Sequence, residues 1–167
     1  GDARGLYYKQ PFLTNTVFDD QTLAKLAREE KDAQGIANSL REMGVDYLVV
    51  NGLEGIRVSG DYHHYDLTST QWQNLDEFIQ RGTQLMYSQN LQAVYGLLPQ
   101  LKEKSKEESV DLVMFFAPSA SQFLMDVEKR DLKNAQADLN QTLQLYPFSD
   151  FWKKQKSDFE KHIGDQL

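Results

Sequence analysis

The segment of residues 40–51, with the sequence LREMGVDYLVVN, constrains the fold of this chain more than any other. Its first part has the pattern of an amphipathic helix that ends at Gly44, because glycine adopts the left-handed conformation that closes a helix without steric cost. Tyr47–Val50 then form an uninterrupted apolar, β-prone run, which is typical of a strand covered on both faces. A helix followed by such a strand predicts a layered α/β domain, and domains of that class serve many unrelated functions.

Composition and charge exclude several classes of protein. Of the 167 residues, 40% are hydrophobic and 26% are charged, which are the values of a globular chain and not of a disordered one. The formal net charge of −7 argues against a protein whose main task is to bind nucleic acid or anionic lipid, since both ligands require a positive field. The chain has no cysteine, which excludes disulfide scaffolds, thiolate metal sites and cysteine nucleophiles.

The order of helical and strand patterns predicts two parts joined by a linker. We expect an α/β domain over residues 1–98, with a small mixed sheet flanked by helices in Rossmann-like layers, followed by a linker over 99–108. The later half of that domain is predicted to contain a helix that begins with a capping box at Thr68–Gln71 and a β-hairpin within 83–97. After the linker, residues 109–167 fit a helical pattern almost throughout.

The helical tail has the spacing of a tetratricopeptide repeat (TPR). Ala135, Leu139, Thr142 and Pro147 match the pattern A-x3-[FL]-x2-[AT]-x4-P of the second helix of such a repeat, in which small residues let paired helices approach closely. The preceding helix departs from the pattern, so we expect one degenerate, TPR-like repeat with a capping helix. A single repeat buries too little surface to be stable alone, and it should pack on the α/β domain, on another repeat or on a partner.

A glycine-rich segment, Asn51–Tyr65, follows the predicted strand. Gly52, Gly55 and Gly60 within nine residues indicate a loop whose backbone visits unusual torsions or approaches something closely. Ligands of open α/β sheets bind outside the carboxyl ends of the strands, so a ligand would lie at this loop. The alternative is a long surface connection that binds nothing.

Five residues are weak candidates for binding a ligand: Asp2, Arg4, Asn51, Tyr62 and Tyr65. Asp2 and Arg4 lie in a glycine-flanked turn that either admits a phosphate or holds an ion pair, although the sequence GDARG is not a dinucleotide-binding fingerprint. Tyr62 and Tyr65 lie at the end of the glycine-rich segment, and aromatic rings with polar neighbours often hold sugar rings. Trp72, which follows at helical spacing, is predicted to belong to the core.

No arrangement of residues in the sequence predicts catalysis or metal binding. Adjacent residues such as His63 and His64 face opposite ways in an extended chain, and a zinc site would need two further ligands. The chain has no nucleophile elbow of the G-x-S-x-G type. The acidic pairs Asp19–Asp20 and Glu29–Glu30 suit capping or solvent-facing positions better than the cleft of a glycosidase. We therefore expect no catalytic residue, no metal and no cofactor.

Three motifs within residues 1–98 together carry a resemblance to a known family. They are G-D-A-R-G-L-Y-Y at 1–8, G-V-D-Y-L-V-V-N at 44–51, and Y-D-L-T followed by the helix of Trp72 and Leu75. This order resembles the soluble extracytoplasmic C-terminal tail of polytopic membrane glycosyltransferases of the GT-C class, which are related to protein mannosyltransferases and aminoarabinose transferases.

The resemblance implies that the chain is a non-catalytic module of a parent protein that uses a lipid-linked sugar donor. In that class the acidic catalytic residues lie in an extracytoplasmic loop near the first transmembrane helices, and no residue of this chain matches that motif. The implied partners are the transmembrane part of the parent protein and an acceptor glycan or acceptor protein. The implied location is the extracytoplasmic, periplasmic face of a bacterial inner membrane, with hydrophobic spans encoded upstream of Gly1.

Two other functions stay open. The first is a free-standing protein-interaction adaptor, in which the TPR-like tail binds a peptide and the α/β part is the scaffold. The second is a small enzyme that binds a sugar or a nucleotide at the Asn51–Tyr65 segment. The sequence specifies neither the sugar and acceptor nor the oligomeric state.

Overall fold

Helices form most of the structure, and one small sheet lies among them. The computed structural model describes residues 21–62, 65–104 and 112–164. In those residues the chain has seven α-helices and a three-stranded sheet, which confirms a fold of mixed helix and strand content. In chain order the elements are α1 (Thr22–Glu29), α2 (Ala33–Glu42), β1 (Tyr47–Asn51), α3 (Gly52–Tyr62), α4 (Ser69–Gly82), β2 (Thr83–Gln89), β3 (Gln92–Leu97), the 3₁₀ helix η1 (Leu112–Phe115), α5 (Pro118–Glu128), α6 (Leu132–Leu145) and α7 (Asp150–Gly164).

The first helical region is divided into α1 and α2. Its apolar spacing fits either one long helix or two short ones, and the structure shows two. The break lies before Asp32, whose side chain caps α2 by accepting a hydrogen bond of 2.8 Å from the backbone N–H of Gly35. Gly35 itself lies inside α2, and a Cβ there would come within 2.5 Å of the Glu30 carboxylate. The glycine therefore makes room for Glu30, which accepts a hydrogen bond from Ser39.

β3 is the central strand of the sheet, and it pairs antiparallel with β1 on one side and with β2 on the other. Because all pairings among the described residues are antiparallel, the predicted mixed sheet is wrong for this part of the chain. The predicted hairpin is confirmed, and its turn places Asn90 and Leu91 at φ values of 50° and 57°. Two consecutive residues with positive φ match the twist of a two-residue hairpin loop.

Helices cover one face of β1 and β3, which corrects the prediction that β1 is buried on both faces, whereas β2 is exposed from Gln84 to Gln89. α3 and α4 contact the sheet, and Val50, Ala93 and Tyr95 are buried on the side that they cover. Tyr47 and Val49 alternate with Val50 along β1 and are exposed. A short apolar run is compatible with either arrangement, because antiparallel sheets commonly leave one face open to solvent.

The glycine-rich segment after β1 is helix α3 and not the predicted loop. Gly55 packs against the ring of Phe116 so closely that a Cβ would lie 2.1 Å from a ring carbon. Ser59 is fully buried, and its hydroxyl donates to the carbonyl oxygen of Gly55 at 2.7 Å. These small residues let α3 contact η1 and α5. Gly55 thus serves close packing between helices.

Helix α4 confirms the predicted capping box. The backbone N–H of Thr68 donates to the side chain of Gln71 at 2.9 Å, and the Thr68 hydroxyl accepts from the backbone N–H of Gln71 at 3.4 Å. Trp72 is buried as predicted, and it shares the buried stripe of this helix with Leu75, Phe78 and Ile79. That stripe packs the helix against α1 and α2.

Each α-helix of the tail begins next to a residue that favours a helix start. Pro118 occupies the first turn of α5, where the missing N–H costs nothing. Asp131 caps α6 by accepting from the N–H of Asn134 at 3.3 Å, and Ser149 accepts from the N–H of Trp152 at 3.3 Å at the start of α7. α5 and α6 pack side by side. The buried residues of α6 are those that the TPR-like spacing predicts: Ala135, Leu139 and Thr142.

Aromatic contacts join the helical tail to the α/β part. The ring of Trp72 lies 5.1 Å from that of Tyr146, and the ring of Tyr65 lies 5.2 Å from that of Phe116. These side chains belong to one hydrophobic cluster that extends over both parts. Of the three packing partners considered for the tail, the structure shows the α/β part, while the domain boundary at 99–108 stays a prediction.

Candidate functional site on the outer face of the sheet

The outer face of the sheet is the face opposite α3 and α4. Residues that pair directly across antiparallel strands have their side chains on the same face, so the register identifies its members. Three rows cross the sheet from β1 through β3 to β2: Tyr47–Gly96–Gln84, Val49–Val94–Tyr87 and Asn51–Gln92–Gln89. We define the outer face as these nine residues together with Met86.

Large apolar side chains are exposed next to one another on the outer face. The exposed fraction is 62% for Tyr47, 58% for Val49, 59% for Met86 and 53% for Tyr87. Single exposed apolar residues are normal on any protein surface. A contiguous group of them, rimmed by polar residues, is characteristic of a site that binds a protein, a ligand or a membrane.

The side chains of Met86 and Tyr47 both lie near Gly96 on the outer face. A Cβ at Gly96 would lie 3.5 Å from Cγ of Met86 and 3.8 Å from Cε1 of Tyr47. Met86 is the extra residue of the irregularity between Leu85 and Tyr87 in the β2–β3 register. Such bulges re-aim side chains. Met86 and Tyr47 therefore approach each other above the glycine and form a continuous apolar surface.

The sheet contains no charged residue in any of its three strands, although 26% of the whole chain is charged. β1 and β2 are the edge strands of the sheet among the described residues. Edge strands usually carry charged side chains, lysine above all, because these prevent pairing with other chains. The absence of charge from both strands distinguishes the outer face from the rest of this acidic surface.

Amide side chains line one end of the outer face. They belong to the row of Asn51, Gln92 and Gln89. The Tyr87 hydroxyl donates to Oε1 of Gln89, and Oδ1 of Asn51 accepts from the backbone N–H of Glu54 at 3.4 Å where α3 begins. Each amide offers both donors and acceptors without a net charge. The outer face thus combines exposed ring surface with neutral hydrogen-bonding groups.

The structure places two of the predicted binding residues in different surroundings. Asn51 lies in the amide row of the outer face. Tyr65 is buried, and its ring stacks on Trp72 at a centroid distance of 6.0 Å with an interplanar angle of 23°. Its ring also contacts Phe116. Tyr65 therefore contributes its aromatic surface to the core and not to a surface site.

The side chains of the remaining predicted residues lie outside the described part of the chain. Asp2 and Arg4 lie outside the described residues, as do His63 and His64. Tyr62 ends α3, and its side chain is not among those described. Their role in binding stays a prediction.

Sequence reasoning missed Tyr47, Met86 and Tyr87 as site residues. Two signals were present: the alternation of residues 47, 49 and 51 on one face of a strand, and the lack of any charge over residues 82–101. The apolar run of β1 concealed the alternation, because its inner and outer positions are equally hydrophobic.

A pair of carboxyl groups lies between α5 and α6, away from the outer face. Asp126 is buried, and Nε2 of Gln122 donates to its Oδ1 at 2.8 Å. Burial in the first place, and then the hydrogen bond to Asp126 and the charge of Asp126, together raise the pKa of Asp138 from 3.8 to about 6. Because this pKa lies above that of a free aspartate, we expect the stability of the helical hairpin to depend on pH.

The described part of the chain lacks two further types of site. It holds no group of three or more residues that could bind a metal ion. None of its helices is both long and apolar enough to cross a bilayer.

Comparisons with protein-family models, with curated proteins and with solved structures give no match to this chain.

Proposed function

We propose that this chain is a non-catalytic recognition module of a membrane glycosyltransferase-like protein of the GT-C class, and that the outer face makes the recognition contact. The observation that supports the proposal is the exposed, contiguous and charge-free surface around Tyr47, Met86 and Tyr87. Held on a paired sheet, these side chains present a preorganised surface, which lowers the entropic cost of binding. Sugar transfer itself belongs to the parent protein in this proposal.

The residues that carry the family resemblance act as the frame of this surface. Gly44 closes α2 with a φ of 74°, a conformation that favours glycine. Trp72 and Leu75 are buried in the stripe of α4. The frame positions β1, and the outer side chains of β1 are left to contact a partner. This division of roles supports a binding module.

The proposed partners are the transmembrane part of the parent protein and an acceptor glycan or acceptor protein. The proposed location is the periplasmic face of a bacterial inner membrane. The net charge of −7 opposes contact with anionic lipid headgroups, so a neutral surface is the part of this chain best suited to a partner near the membrane. The proposal involves no cofactor and no nucleic acid.

The size and location of the native gene product test this proposal. An antibody raised against the chain should detect, in fractionated cells, a protein much larger than 19.3 kDa that stays in the membrane pellet after high-salt and carbonate washes. Upstream hydrophobic spans in the gene should account for the added mass. A product of the size of this chain in the soluble fraction would overturn the proposal.

The tail supports a finer proposal about the fold, namely that α5 and α6 form one degenerate, TPR-like hairpin. Ala135 and Thr142 are buried where the helices meet, and Oγ1 of Thr142 lies 2.9 Å from Oγ of Ser119. An experimental structure in which the two helices cross at the angle of a TPR pair would support it. Rossmann-like layering is not proposed for the described sheet, since that fold needs a mainly parallel sheet with helices on both faces.

A further inference from the structure

We propose that the outer face binds the rings of a neutral carbohydrate chain. This inference rests on the proposed function only for the identity of the ligand as an acceptor glycan. The face itself indicates the chemical class of the ligand, because it combines two exposed tyrosine rings and a row of amides with no charge.

The tyrosine rings supply the apolar contact. Tyr47 and Tyr87 lie on the two edge strands and in adjacent rows, so that they flank β3 diagonally. Neighbouring strands lie about 4.8 Å apart, which separates the two tyrosine backbones by roughly 10 Å across the sheet. Aromatic side chains pair an apolar ring with a polar hydroxyl, and the C–H faces of sugar rings fit such surfaces. A chain of several sugar rings could contact both tyrosines at once.

The amide row supplies hydrogen bonds to hydroxyl groups. Asn51, Gln92 and Gln89 each carry an acceptor oxygen and a donor NH₂ group on a planar amide. A sugar hydroxyl is likewise both donor and acceptor, so it can satisfy these groups when water is displaced. Tyr87 already holds Oε1 of Gln89 through its hydroxyl, which orients that amide next to the ring.

Neutrality selects among the alternative occupants. An anionic ligand or lipid headgroup would find no cation on the outer face and would be repelled by the chain's charge of −7. An apolar protein surface, including a second copy of this chain, would have to bury the amide row, and buried amides without partners cost free energy. A neutral glycan avoids both penalties.

Titration with neutral hexasaccharides, followed by NMR of the 15N-labelled chain, tests the inference. The probes are linear hexasaccharides of glucose, of mannose and of N-acetylglucosamine. At least one should shift the amide signals of β1, β2 and β3 with a Kd below about 1 mM. Tyr47→Ala and Tyr87→Ala should each weaken binding by about three- to tenfold, whereas Tyr47→Phe, which keeps the ring, should retain it.

Val127→Ala is the matched control, because it removes an exposed apolar side chain on α5 without touching the sheet. It should leave the Kd unchanged. Circular dichroism of each variant checks that the fold is intact, as the exposure of Tyr47 and Tyr87 predicts.

The inference is overturned if no hexasaccharide shifts the signals of the sheet at a ligand concentration 10-fold above the expected Kd limit of about 1 mM. It is also overturned if both alanine variants bind as tightly as the parent chain. Sedimentation that shows a dimer lost on Tyr47→Ala would instead identify a second copy as the occupant. Flotation with phosphatidylcholine vesicles that depends on the same residues would identify a bilayer. A soluble native product together with glycan binding would refute the membrane parent and leave this inference standing.

Discussion

Replacing Gly55 by alanine should destabilise the chain, because α3 has no space for a side chain at this position. The added Cβ would lie 2.1 Å and 2.2 Å from two carbons of the Phe116 ring. Non-bonded carbons prefer a separation of about 3.5–4.0 Å, so the buried ring would have to move by roughly 1.5 Å. Overpacking of this kind costs about 1–3 kcal/mol. Helix propensity opposes it, since alanine is favoured over glycine by about 0.5–1 kcal/mol.

The net loss that we expect for Gly55→Ala is therefore about 1–2 kcal/mol in the free energy of unfolding. Urea denaturation followed by circular dichroism measures it. Gly96→Ala is the control, because its Cβ would lie 3.5 Å from the nearest atom, an ordinary contact. Its effect should stay within about 0.5 kcal/mol.

A double-mutant cycle with Phe116→Leu isolates the contact. Leucine lacks the ring atoms that the new Cβ would strike, so the double variant should be more stable than the sum of the two single losses predicts. If Gly55→Ala leaves the free energy of unfolding unchanged or raises it, α3 is not packed on Phe116. Gly55 would then have no packing role in α3.

Two other contacts make predictions of their own. Thr68→Ala removes one half of the capping box and should lower the free energy of unfolding, measured in urea, by about 1 kcal/mol. Thr70→Ala, an exposed change in the same first turn, is the control and should not lower it. Equal losses for the two variants would contradict the role of the capping box. Asp138 has a pKa of about 6 in the folded chain against 3.8 ordinarily, so the folded state binds more protons than the unfolded state between these values. The free energy of unfolding should therefore fall by about 1 kcal/mol as the pH rises from about 4 to about 6, and it should then level off. This magnitude allows for solvent screening of a partly exposed carboxyl. Asp138→Asn, which can still donate to Asp126, should remove this part of the pH dependence; an unchanged slope would show that another group causes it.

The elements that could be predicted from sequence are those whose signals are local. Thr68 and Gln71 cap each other across three residues, and Asp131 and Ser149 cap their helices in the same way. The stripe of α4 repeats within two helical turns. Such signals do not depend on the rest of the fold, because the groups involved are neighbours along the chain in any helix.

Helix α3 could not be predicted because its stabilising contact is distant in sequence. Three glycines in nine residues favour a loop as long as only local conformational entropy is considered. The ring of Phe116 reverses that preference by filling the space that Gly55 leaves free. Tertiary packing thus overrides the local conformational propensity of glycine here, and no residue near Gly55 in the sequence predicts its contact with the ring of Phe116.

The candidate site was only partly predictable for a related reason. The run Tyr47–Val50 is apolar at inner and outer positions alike, so hydrophobicity cannot tell which face α3 and α4 will cover. Val50 anchors the strand in the core, whereas Tyr47 and Val49 add little burial. Because the inner side chains supply the packing, the outer side chains are not needed for stability and are available to bind a ligand. Asn51 has both a structural and a surface position, because its side chain accepts a hydrogen bond at the start of α3 and it also belongs to the amide row. Its position directly after the strand predicts a candidate binding residue from sequence alone. Tyr47 and Tyr87 have no such local signal, because their places on the outer face depend on the pairing of the strands.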